Sequence, residues 1–133
     1  MTAPVFVDTN VFVYRFDSSE PAKHARATAW LDALWAARAG RVSTQVLHEL
    51  YATLGRKLAM PVEDARRVVR SLLAWKPLSI DQEVVERAWS LETRHALSWW
   101  DALIVAAAQA SGASVLLTED LQHGQTLGDL QVL

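Results

Sequence analysis

The chain has 133 residues, of which 51% are apolar and 21% are charged, and its formal net charge is -2. This length suits one domain over residues 1–133 and can bury a core without disulfides, and the composition excludes a disordered chain. No apolar run reaches the roughly 20 residues of a membrane-spanning helix, and the absence of cysteine excludes thiolate metal sites and cysteine nucleophiles.

The N-terminal segment MTAPVFVDTN has no basic region before its apolar stretch, so we expect a cytoplasmic protein without a secretory signal. Residues 5–7 predict a buried strand, which stops at Asp8 with Thr9 and Asn10 behind it. All three side chains can accept hydrogen bonds from the free N–H groups of a following helix, so capping is the simplest interpretation. The alternative is that Asp8 faces a cleft and binds a positive group.

Helices and short strands alternate through the middle of the chain. The pattern predicts, in order, a short helix over 11–16, a helix from Pro21 to Ala39 ended by Gly40, a strand over 41–43 and a helix capped by Thr44. It then predicts a helix from Pro61 to about Trp75, a strand or extended segment over 77–80 and a helix capped by Asp81.

Two apolar segments close the pattern. SWWDALIVAAAQASG, residues 98–112, predicts a buried helix capped by Ser98, and SVLLT, residues 114–118, predicts a strand followed by Glu119 and Asp120. Strands that alternate with helices favour an α/β fold with a mostly parallel sheet covered on both faces. Ligands of such folds bind beyond the carboxyl ends of the strands, where the first and last core strands both place acids.

Four acids are candidates for one site: Asp8, Glu49, Asp101 and Asp120. Three of them have local explanations, as a cap, a capping-box acid and a turn residue, whereas Glu49 lies in mid-helix on the margin of an apolar stripe. Clustered carboxylates raise one another's pKa values, and hard divalent cations such as Mg²⁺ or Mn²⁺ relieve that repulsion. The combination therefore predicts a metal site that hydrolyses phosphodiesters.

Short polar side chains follow the same predicted strands. Thr9, Asn10, Ser43 and Thr118 could orient the acids and their waters, although backbone capping is the simpler interpretation for each. Residues 56–76 carry six basic residues against two acidic ones, a local charge of +4 that can hold phosphates near an acidic centre or simply face solvent.

Four segments of the sequence resemble the acidic motifs of the PIN-domain ribonucleases, in the same order. They are FVDTNVFVYRFD, STQVLHEL, WWDALIVAAAQASGA and LLTEDLQHG. Within that family the chain is similar to the VapC-type toxins of toxin–antitoxin pairs. The resemblance spans nearly the whole chain.

The resemblance implies a three-layer α/β/α fold and an Mg²⁺- or Mn²⁺-dependent endoribonuclease. By position, Asp8, Glu49, Asp101 and Asp120 match the family's metal-binding acids. Glu119 offers a second acid in the last motif, and we expect Asp120 to face the metal. A homodimer and a cognate antitoxin are further implications. A catalytically silent PIN fold that binds protein or RNA is the alternative, and the intact set of acids argues against it.

Overall fold

A five-stranded sheet lies at the centre of the fold in the computed structural model, which describes residues 3–133. Its order is β2-β1-β3-β5-β4, and only β4 runs antiparallel to its neighbour. The strands are β1 (Val5–Val7), β2 (Gly40–Arg41), β3 (Val115–Leu117), β4 (Thr126–Leu127) and β5 (Leu130–Val132). The predicted mostly parallel sheet is confirmed.

In residues 3–133, six α-helices accompany this sheet and complete the predicted three-layer α/β fold. They are α1 (Thr9–Arg15), α2 (Pro21–Ala37), α3 (Thr44–Leu58), α4 (Val62–Ser71), α5 (Gln82–His95) and α6 (Trp99–Ala110), and a 3₁₀ helix (Leu72–Trp75) follows α4. Between residues 3 and 133, none of these helices combines the length and the apolar character needed to cross a bilayer.

The central strand β1 determines where the acids lie. Val5 pairs with Gly40 on one side and with Val115 on the other, both in parallel. Asp8 and Thr118 therefore follow two adjacent strands at the same edge of the sheet. Phe6 of β1 is completely buried, so this edge is attached to the most enclosed part of the core.

The end of the second helix differs from the prediction. Helix α2 ends at Ala37, and Arg38 takes the left-handed conformation with φ 54°, a role that the sequence assigned to Gly40. Gly40 instead belongs to β2, where a Cβ atom would overlap the indole ring of Trp75. Close packing against an aromatic ring, rather than a turn, is the reason for this glycine.

The start of α3 also differs by one residue. Ser43 is the N-cap, and its Oγ accepts a hydrogen bond from the Val46 N–H at 3.4 Å. Thr44, which was predicted as the cap, is the first helical residue. The predicted strand over 41–43 is correspondingly displaced to Gly40–Arg41, and the segment after Pro77 adds only a single bridge, between Ser43 and Leu78.

Candidate active site

Asp8 lies at the junction of β1 and α1, and both of its carboxylate oxygens accept hydrogen bonds. Oδ1 accepts from the Thr9 N–H at 2.7 Å, which caps α1, and Oδ2 accepts from the Thr118 hydroxyl at 2.8 Å. The side chain is buried yet lines a cleft. The two interpretations of Asp8, as a cap and as a cleft acid, are therefore compatible.

Glu49 projects from α3 towards the same cleft. Its Oε2 accepts from the Thr9 hydroxyl at 2.9 Å, and its Oε1 accepts from Gln45 Nε2, also at 2.9 Å. Gln45 was not predicted to belong to the site. Its position four residues before Glu49, on the same helical face, was the signal that could have found it.

Asp120 and Glu119 are adjacent in sequence but have different partners. Asp120 Oδ2 accepts one side-chain hydrogen bond, from Asn10 Nδ2 at 3.2 Å. Glu119 Oε1 accepts from the Tyr14 hydroxyl at 2.7 Å, and its Oε2 pairs with Lys23 Nζ at 3.2 Å. Glu119 is thus already neutralised by a cation of the protein itself.

Asp101 occupies the first turn of α6, as predicted. Its N–H donates to Ser98 Oγ at 3.1 Å, so the expected cap of this helix is present. The carboxylate of Asp101 lies close enough to Asp120 to raise the pKa of that acid. The fourth acid therefore belongs to the same electrostatic environment as the others.

The pKa values of two cleft acids are raised. Burial is the main cause of the shift in the pKa of Asp8 from 3.8 to about 6, with repulsion from Asp120 and Glu49 adding to it and hydrogen bonds from Thr118 and Thr9 opposing it. Burial also raises the pKa of Asp120, followed by repulsion from Asp101 and Glu119. These shifts show that negative charge in the cleft is poorly compensated by the protein alone.

The cleft itself has a volume of about 190 Å³ and is lined by three of the four candidate acids, Asp8, Glu49 and Asp120, together with Lys57 at its edge. Asp101 is not among the lining residues. Across residues 3–133, no three His, Asp or Glu side chains are already arranged as a metal-binding group.

The donor set nevertheless suits a hard divalent cation. Each lining acid is held by a neutral hydrogen-bond donor, and all the candidate ligands are oxygens, which Mg²⁺ and Mn²⁺ prefer. In the described part of the chain, two amide oxygens of this region, Asn10 Oδ1 and Gln45 Oε1, are buried without a hydrogen-bond partner. A cation or its bound waters would satisfy such oxygens.

The polar residues proposed to orient the acids divide into two groups. Thr9, Asn10 and Thr118 each donate a hydrogen bond to a different acid. Ser43 caps α3 instead, and Glu119 is paired with Lys23. Tyr14 lies within the first quoted motif and Lys23 outside all four, and neither was predicted to hold Glu119.

A family comparison identifies the domain. The model of the PIN domain matches residues 5–126, which is most of the chain. The chain belongs to the PIN domain family. No curated protein matches it significantly.

Solved structures share the PIN fold at low sequence identity. A toxin–antitoxin complex from Klebsiella pneumoniae has 20% identity and a TM-score of 0.71, covering 95% of this chain and 94% of that chain. The sarcin–ricin loop cleaving toxin VapC20 of Mycobacterium tuberculosis has 24% identity and a TM-score of 0.66, covering 84% and 86%. VapBC2 from Rickettsia felis, bound to a promoter DNA fragment, has 18% identity and a TM-score of 0.66, covering 97% and 96%.

Proposed function

We propose that this PIN domain is a metal-dependent endoribonuclease and the toxin of a type II toxin–antitoxin pair. The observation that carries the proposal is the cleft in which acids from three separate segments each accept a hydrogen bond from a neutral side chain. Carboxylates fixed in this way, with raised pKa values in two of them, are suited to hold a divalent cation.

Asp8, Glu49, Asp101 and Asp120 would hold Mg²⁺ or Mn²⁺. When bound, the cation would lower the pKa of a water molecule and offset charge on the phosphate. Thr118, Thr9 and Asn10 fix the rotamers of three of these acids, so that their oxygens need little rearrangement before a substrate binds.

Hydrolysis joins the oxygen of water to phosphorus and breaks the bond from phosphorus to one ribose oxygen. One proton must leave the water, and one must reach the departing oxygen. Because all four acids are proposed as ligands of the cation, the first proton can pass to solvent, and another water molecule can supply the second. Lys57, at the edge of the cleft, can attract the negative phosphate towards the acids.

The toxin assignment is supported by the structural neighbours, which include a toxin–antitoxin complex and a toxin that cleaves the sarcin–ricin loop. We propose an antitoxin as a protein partner and a second copy of the chain as another. Trp89 on α5 and Trp100 on α6 expose 54% and 64% of their surface, which is consistent with a further interface. Light scattering of the purified protein would measure the oligomeric state.

The decisive experiment is cleavage of RNA with Mg²⁺ or Mn²⁺ and with EDTA. We expect the wild type to produce internal cuts that chelation abolishes. The variant Asp101→Asn should lose at least about a hundredfold in rate. Asp129→Asn, which changes an exposed acid in the β4–β5 turn, is the matched control and should cleave normally. Activity that survives chelation would refute the mechanism, and a folded wild type that binds but never cuts RNA would support the silent binding module.

A further inference from the structure

A second groove adjoins the acid cleft. It has a volume of about 590 Å³ and lies between α2 and the segment that follows β3. Asn10, Tyr14 and Glu119 line both the groove and the cleft, so the two spaces are adjacent. A polymer bound with one unit in the cleft would place its neighbouring unit here.

One face of α2 supplies the basic and aromatic side chains of this groove. Lys23, Arg26 and Trp30 lie at helical spacing along it, and all three line the groove. Trp30 exposes 37% of its surface, so part of its ring is open to a ligand in the groove. His123 lies on the opposite wall.

The charges of the groove favour a phosphate. Lys23 forms an ion pair with Glu119. This pair neutralises the one acid among the residues that line the groove. Arg26 is exposed, and within residues 3–133 it takes part in no ion pair. The guanidinium group of Arg26 therefore keeps its charge and its donors for a ligand.

An exposed indole one turn from an unpaired guanidinium can bind a nucleobase and its phosphate together. The groove volume falls within the range of roughly 300–1,000 Å³ that small-molecule sites occupy, so it can hold a single nucleotide unit. We propose that this groove binds one unstacked nucleotide of the RNA beside the bond that is cut, with its base against Trp30 and its phosphate against Arg26. This inference rests on the proposed function and adds the requirement that the RNA be unpaired at this position.

The test compares an RNA that the wild type cuts with the same RNA carrying single abasic nucleotides around the cut. Base stacking should make one abasic position raise the KM of the wild type about tenfold, with kcat little changed. Trp30→Ala and Arg26→Gln should each raise KM on the intact RNA by a similar factor. Trp30→Ala should show no further loss on the abasic RNA, because the contact is already absent.

Three further variants serve as controls. Trp30→Phe keeps an aromatic face and should restore most of the wild-type KM. Trp35→Ala, on α2, and Arg94→Gln, on α5, remove exposed side chains of the same types outside the groove and should leave KM unchanged. Circular dichroism would confirm that each variant is folded.

Binding of the same RNA in EDTA, followed by fluorescence anisotropy, tests the groove without turnover. Weaker binding by Trp30→Ala than by Trp35→Ala would support the groove even if the wild type cut no RNA, a result that would refute only the proposed function. Equal KM and equal affinity in Trp30→Ala, Arg26→Gln and the wild type would overturn the inference. We would then assign the groove to the binding of a protein partner.

Discussion

The Thr118 hydroxyl donates a hydrogen bond to Asp8 Oδ2 at 2.8 Å across 110 residues of sequence. The same hydroxyl accepts from the N–H of Asp120 at 3.1 Å. One short side chain therefore joins the acid after β1 to the acid after β3. The two halves of the cleft are held together by the ends of adjacent strands.

Replacing the Thr118 hydroxyl should lower the free energy of unfolding at neutral pH. Thr118→Val keeps the shape of the side chain but leaves a buried Asp8 oxygen without its donor, so we expect a loss of about 1–3 kcal/mol in the free energy of unfolding. Urea denaturation would measure it. Thr28→Val is the matched control, because Thr28 Oγ1 is buried without a partner in the described chain, and its removal should cost little. Equal losses in both variants would contradict this role of Thr118.

The pH dependence of stability should reveal the cost of ionising Asp8. Its folded pKa of about 6 lies above its ordinary value of 3.8, so the protonated acid favours folding. That contribution is complete below about pH 4 and is lost as the pH rises through about 6. In EDTA at pH 7.5, Asp8→Asn should therefore raise the free energy of unfolding by about 1–3 kcal/mol.

The rise in the free energy of unfolding that Asp8→Asn causes should fall to zero near pH 4, where Asp8 of the wild type is itself protonated. Thermal unfolding of the two proteins across this pH range is the measurement. Asp129→Asn, at an exposed turn, should show no such trend. A stabilisation by Asp8→Asn that did not depend on pH would have to come from a cause other than charge.

Metal binding should stabilise the wild type. A ligand at a hundredfold excess over its Kd adds about 2.7 kcal/mol, so saturating Mn²⁺ should raise Tm by several degrees. The double variant Asp8→Asn with Asp101→Asn should not respond, because two proposed ligands are gone, whereas Asp129→Asn should respond fully. Differential scanning fluorimetry with and without EDTA would measure the shifts, and an undiminished response in the double variant would rule out these ligands.

The two adjacent acids of the last motif should differ in their effect on metal binding. Burial by itself would raise the pKa of Glu119, but hydrogen bonds from Tyr14 and Lys23 outweigh it and lower the pKa, so this acid is committed to those partners. Glu119→Gln should retain most of the Mn²⁺-induced rise in Tm, and Asp120→Asn should lose about tenfold or more in Mn²⁺ affinity by calorimetry. A larger loss of Mn²⁺ binding in Glu119→Gln than in Asp120→Asn would identify Glu119 as the ligand.

Much of the fold could be predicted because its signals are local. The apolar segment Val5–Val7, the caps Asp81 and Ser98 and the uninterrupted apolar face of α6 appear in the structure as the sequence indicated. The hairpin of β4 and β5 was missed, since its strands are two and three residues long and carry little periodicity. Gly40 was misassigned because only the tertiary approach of Trp75 explains it.

For the candidate site, the positions of the acids were predictable, but some of the contacts around them were not. Its acids follow strand ends or occupy helix positions that the sequence shows, so their convergence on one edge could be anticipated from topology. Thr9, Asn10 and Thr118, which hold three of these acids, were also anticipated. The contacts of Tyr14 and Lys23 with Glu119 were not, because they join positions about a hundred apart and a single sequence carries no signal for such pairs.

The attachment of Asp8 to two central strands has a consequence for control of the enzyme. One oxygen of this acid begins α1 and the other is held from the end of β3, so moving the carboxylate would mean distorting the hydrophobic core. A regulator that binds elsewhere has no soft hinge through which to pull this group away. We therefore expect inhibitors to bind over the cleft and block access to it. The acids beneath would keep their positions and could act as soon as the inhibitor dissociates.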